Sequence, residues 1–141
     1  MLNRSQVSRV VLTNYKSIKS CDVSLGPLTF LVGPNGAGKS NFVEAIRFLS
    51  YALGSSLEVA VENGGGLQSI VHRGDEIAST IKLKILLELA ADGKAEYEVE
   101  IRAAEDGTVV VAAEVLSRSA KRPRVVSCEG GRSRQQPRSD T

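Results

Sequence analysis

The stretch FLVGPNGAGKSNFVEAI, Phe30 to Ile46, constrains this chain more than any other. Gly33, Gly38, Lys39 and Ser40 satisfy the spacing GxxxxGK(S/T), with an apolar run before it and an amphipathic run after it. Such a loop has one strong physical use. Glycines let the backbone wrap a phosphate chain without Cβ interference, successive N–H groups turn inward, and the helix that follows presents its positive end. Lys39 is then placed for the β- and γ-phosphates, and the Ser40 hydroxyl for Mg²⁺. The whole cradle comprises Gly33, Pro34, Asn35, Gly36, Ala37, Gly38, Lys39, Ser40 and Asn41, with Ser40 as the metal ligand.

The helix after the loop is expected over Gly38 to Leu53. Phe42, Val43, Ile46, Leu49 and Leu53 recur at three- and four-residue spacing to form its buried face, and Gly54 is its stop. Ser55 with Glu58 reads as a capping box for a short helix, SSLEVAVEN, and GGGLQ (64–68) as a loop. Upstream, VSRVVLTNYKSI opens β-rich, and CDVSLGPLTFLVG supplies two more strands parted by Gly26-Pro27. Downstream, Ile81, Leu83, Ile85, Leu87 and Leu89 alternate with Lys82, Lys84 and Glu88, then Tyr97, Val99 and Ile101 with Glu96, Glu98, Glu100 and Arg102. With TVVVAAEVL after them, and Asp92-Gly93 and Asp106-Gly107 between the runs, residues 79–116 read as a three-stranded antiparallel meander.

Charge divides the chain. Residues 1–117 carry 11 Lys/Arg against 14 Asp/Glu, and residues 118–141 carry seven against two. The latter segment also has few large apolar groups, so it reads as a flexible basic tail after a lobe spanning 1–117. No apolar run approaches the ~20 residues of a membrane span, and the N-terminus lacks a signal-peptide pattern. Cys21 and Cys128 form no CxxC pair, so neither a disulfide framework nor a zinc site is indicated, and a cytoplasmic protein is expected.

NYKSI followed by LTFLVGPNGAGKSNFVEAIRFL resembles the head domains of RecF-type and SMC-type ATPases, relatives of the ABC cassette, and most of all the bacterial predicted ATPases of the RecF/SMC-like AAA class. SIVHRG, Tyr97 and Glu114 extend the likeness over residues 7–117. The resemblance implies an α/β P-loop NTPase fold: an N-terminal lobe like that of ABC/SMC heads, with an antiparallel meander, an incomplete sheet and a disordered basic tail. It further implies ATP and Mg²⁺ as ligands, a homodimer through the heads, and a role in DNA maintenance or defence against foreign DNA. In that family Lys16 matches a basic position near the nucleotide or its DNA sensor, the alternative being a solvated lysine, and Asn35 and Asn41 flank the loop.

Other parts of such an ATPase are not found. There is no Leu-Ser-Gly-Gly signature, and His72 stands where the family does not put its switch histidine, so it reads as a surface residue. VVVAAE (Val109–Glu114) has the outline of a Walker B strand, but it follows an Asp-Gly turn and Val115 takes the place of a second acid. It reads instead as the last meander strand, with Glu114 on the wet face. Gln68 is a candidate nucleotide-sensing glutamine or a plain loop residue. No catalytic residue is assigned, and hydrolysis by this chain alone is not expected. Truncation, a frameshift and a split gene each account for the pattern. Two rivals stand beside nucleotide binding: a non-catalytic fragment that folds only with a partner chain supplying the C-terminal lobe, and a nucleic-acid binder acting through Arg118, Lys121, Arg122, Arg124, Arg132, Arg134 and Arg138.

Overall fold

Period-two alternation organises most of the chain into one sheet. The computed structural model describes residues 4–72, 80–90, 93–103, 109–119, 124–129 and 132–133. In chain order the elements are β1 (Gln6–Tyr15), β2 (Ile18–Ser24), α1 (Lys39–Gly54), α2 (Leu57–Asn63), α3 (Leu67–Ile70), β3 (Thr80–Leu89), β4 (Gly93–Ala103), β5 (Val109–Ser119), β6 (Arg124–Glu129) and β7 (Arg132–Ser133). The seven strands run β2-β1-β3-β4-β5-β6-β7, every neighbouring pair antiparallel. The expected meander is therefore not an appendage. Its first strand pairs with β1, from Gln6↔Glu88 to Thr13↔Lys82, and continues the same sheet.

One face of this sheet holds the core. Val10 and Leu12 of β1, Ile81, Leu83 and Ile85 of β3, and Tyr97, Val99 and Ile101 of β4 are buried with residues of the three helices. The opposite face is charged and cross-paired as antiparallel registry dictates. Lys82 lies 3.1 Å from Glu100, and Lys84 lies 2.6 Å from Glu96 and 3.3 Å from Glu98. No helix among the described residues is long and apolar enough to cross a membrane.

Several expectations are corrected. The helix buries Phe42, Ala45, Phe48, Leu49 and Ala52, while Val43 and Leu53 are exposed. Val43 and the half-buried Ile46 line a groove with Leu25 and Leu31. The cap of α2 is Ser56, whose Oγ accepts from the Val59 N–H at 3.3 Å, and Ser55 closes α1 instead. Leu67 and Gln68 belong to α3 rather than to a loop. The basic segment also contributes strand. β5 runs to Ser119 and pairs with β6 from Glu114↔Cys128 to Arg118↔Arg124, because RVVSCE brings β-branched residues to an open edge. Residues 120–123, 130–131 and 134–141 of the expected flexible tail lie outside the described residues, as do Asp92 and the Asp106-Gly107 turn.

The largest departure concerns LTFLVG. Its sequence predicts a strand, yet among the described residues it pairs with none. The Gly26-Pro27 break carries the chain off the edge of β2 towards the start of α1, and the apolar side chains stay uncovered. Leu28 is 74% exposed, Phe30 78% and Val32 91%.

Candidate functional site

The loop from Gly33 to Ser40 ends at the N-terminus of α1. Gly36 and Gly38 adopt φ of +83° and +86°, left-handed values that side-chain-bearing residues rarely take. Gly38 is the N-cap of α1, and its carbonyl accepts the first helical bond, from Phe42 N–H at 2.9 Å. The N–H groups of Lys39, Ser40 and Asn41 precede that bond and have no carbonyl behind them in the helix. Lys39 Nζ donates to the carbonyls of Gly33 and Pro34, both at 2.6 Å, which ties the first helical residue to the start of the loop. Ala37 N–H donates to Pro34 O at 3.3 Å. Ser40 and Asn35 are exposed. Two αL glycines, one ammonium and the open end of a helix make a cradle whose chemistry fits a polyphosphate. No described cluster of three His, Cys, Asp or Glu side chains is arranged to hold a metal.

The wall behind this loop is the β1–β2 turn. Tyr15 pairs with Ile18, so Lys16 and Ser17 form a two-residue hairpin loop. Lys16 has φ +49° and Asn14 φ +58°. Left-handed backbone at a non-glycine costs on the order of 1 kcal/mol or more, and two-residue hairpins usually place glycine, Asn or Asp in it. A Cβ on Gly38 would sit 3.3 Å from Ser17 Oγ and 3.5 Å from Ile18 Cγ1, so the turn presses on the loop where side chains are fewest. Asn41 Nδ2 donates to Ser17 Oγ at 2.6 Å. Asn41 therefore ties the first helical turn to the hairpin, not to the phosphate loop.

Lys16 is not a solvated lysine. Its side chain is 22% exposed, forms an ion pair with Glu44 of α1, and lies 5.9 Å from the Tyr15 ring centroid. Tyr15 is 1% exposed and tilts against Phe48 with ring centroids 6.1 Å apart. His72 is likewise no free surface residue. It is partly buried, and its Nδ1 lies 2.6 Å from the Lys16 carbonyl. Since a carbonyl only accepts, Nδ1 is the protonated nitrogen in this arrangement. Nothing in local sequence pairs His72 with a turn 56 residues earlier.

Two other singled-out residues stand apart from the loop. Gln68 is exposed on α3. Glu114 lies on β5, three strand spacings or roughly 14 Å from β1. It does not face water alone. It is partly buried, stands opposite buried Val99, and accepts a hydrogen bond from Tyr97 Oη at 2.7 Å. The strand is not the last of the meander, which β6 and β7 continue, and its carboxylate is engaged by Tyr97 of the neighbouring strand.

Residues 28–128 match the family described as "AAA domain, putative AbiEii toxin, Type IV TA system". DNA replication and repair protein RecF of Vibrio vulnificus (strain YJ016) is 32% identical over 96 residues, which cover 66% of this chain and 27% of that protein. RecF of Corynebacterium jeikeium (strain K411) is 40% identical over 74 residues, covering 52% and 16%. The chain thus spans about a quarter or less of the length of these curated relatives. Among solved structures, the recombination mediator protein RecF–ATP superposes with a TM-score of 0.57 at 21% identity, over 82% of this chain and 27% of that one. An SMC ATPase, from a study of ATP-driven dimerization and DNA-stimulated activation, superposes with a TM-score of 0.53 at 22% identity, over 82% of this chain and 72% of that one. The fold is accordingly that of an N-terminal RecF/SMC-type lobe with an incomplete sheet.

The packing of Tyr15 carries a pH signature. Burial first, and the nearby Glu44 charge second, push its hydroxyl up to about 12 from the usual 10. The native state then keeps a proton that the unfolded chain releases above pH 10. The resulting stability is complete below pH 10 and is lost as pH rises towards 12. Tyr15→Phe is expected to flatten the fall of unfolding free energy across that window, measured by urea denaturation at stepped pH. An unchanged slope would remove Tyr15 from the account.

Proposed function

This chain belongs to that AAA-domain family, and from this premise we propose that it is the Mg²⁺-ATP-binding N-terminal lobe of a RecF/SMC-like ATPase. The observation that carries the reading is the loop itself: αL Gly36 and Gly38, with Lys39 held inside the curve, at the open end of α1. Gly33 to Gly38 wrap the phosphates, Lys39 exchanges its two carbonyl partners for phosphate oxygens, and Asn35 and Asn41 flank the loop. Ser40 supplies the hydroxyl ligand of the cation. A cation held there would offset the negative charge of the phosphates. Glu114 is not given the role of activating water, since it is bonded to Tyr97 and lies across the sheet. The process served, by kinship with RecF, is DNA maintenance or defence, with two heads associating when ATP is bound.

Isothermal calorimetry of the purified chain with Mg²⁺-ATP tests this. We expect saturable binding, weakened at least about a hundredfold by Lys39→Ala, which removes the charge that pairs with the phosphates. A folded wild type without binding, or equal binding by the variant, would overturn the assignment.

A second reading is favoured by one observation. Leu28, Phe30 and Val32 are large, apolar, adjacent and uncovered, on a segment that pairs with no described strand. Such a segment invites edge pairing and association. On this reading the chain is a non-catalytic part, completed by a partner that supplies the C-terminal lobe. Phe30→Ser with Val32→Ser is expected to reduce self-association in analytical ultracentrifugation. A wild type that stays monomeric at high concentration would argue against a required partner.

A further inference from the structure

We infer that His72 is a positioning residue for the phosphate loop, acting through the Lys16–Ser17 turn. The inference rests on the nucleotide reading of that loop and extends it to a side chain that neither belongs to it nor touches it.

The turn is costly to hold. Lys16 takes a left-handed conformation at a place where hairpins favour glycine, Asn or Asp, and Asn14 takes another two residues earlier. Such backbone persists only when its surroundings fix it, and here the end of α3 and the two residues after it do so. Lys16 N–H donates to Ile70 O at 2.9 Å, His72 N–H donates to Asn14 O at 2.9 Å, and Tyr15 bridges Val71 antiparallel. His72 Nδ1 then closes the set by donating to Lys16 O at 2.6 Å. That last bond is the only one of these made by a side chain, and so the only one a substitution can delete without disturbing a backbone pairing.

What the turn holds is the start of α1. Ser17 and Ile18 stand against the N-cap Gly38, Ser17 accepts from Asn41, and Lys16 pairs with Glu44. Positions 38, 41 and 44 are three apart and share one helix face. The hairpin is thus a brace along the first two turns of the helix whose N-terminus closes the loop. Loss of the His72 bond frees the Lys16 carbonyl, lets the strained turn relax, and loosens the contact at Gly38.

Two variants and two readouts on the full chain test this. His72→Ala deletes the donor, whereas His72→Asn places an amide nitrogen where Nδ1 stood. His72→Ala is expected to weaken Mg²⁺-ATP binding about fivefold or more and to speed amide hydrogen exchange at Lys16 and through Gly36–Asn41. His72→Asn is expected to restore both towards wild type. Equal binding and exchange in His72→Ala and wild type would overturn the role, as would equal loss in both variants. If wild type binds no nucleotide, the functional reading fails by itself, and exchange at Gly36–Asn41 without ATP still decides whether His72 braces the loop.

Discussion

The close approach of Gly38 to the β1–β2 turn is the contact on which the site depends. A side chain at position 38 would crowd Ser17 and Ile18, and the backbone there has φ +86°. Glycine meets both demands at once. That contact joins three things: the edge of the sheet, the first turn of α1 and the loop that ends there. Asn41 and Glu44 extend it along the helix. The loop geometry is therefore a property of the hairpin packed behind it as much as of its own glycines.

Much of this was legible in the sequence. Alternation in Ile81–Leu89 and Glu96–Arg102 marked the strands and their buried face, because one side of the sheet is covered and a one-residue slip would expose it. The GxxxxGK(S/T) spacing located the loop and the helix start. The helix face is less legible, since hydrophobic periodicity favours Val43 and Leu53, which are exposed, over the small Ala45 and Ala52, which are buried. His72 and Lys16 could not be paired from sequence. Their link needs a left-handed turn at non-glycine residues and a partner 56 positions away, and neither leaves a local pattern. Glu114 was placed on the right strand but given too wet a setting, because its bond to Tyr97 crosses between strands.

The exposed LTFLVG segment shows how an element can be legible and still unformed. Its composition is that of a buried strand, and a strand needs neighbours on its edges as well as apolar residues. The sheet directs its pairing elsewhere, through β1, β3, β4 and β5, and leaves this segment beside the loop with its apolar surface in water. RecF and SMC lobes share the fold, while the chain spans only part of the curated RecF proteins. Nucleotide binding by the loop and completion of the sheet are thus separable questions, asked of neighbouring residues.

Backbone amide NMR during Mg²⁺-ATP titration addresses the central claim most directly. If the loop is a phosphate cradle, the largest shifts fall on Gly36, Gly38, Lys39 and Ser40, with a smaller response at Ser17 behind them. Unmoved loop amides at saturating Mg²⁺-ATP in a folded protein, or shifts confined to the rest of the sheet, would contradict it.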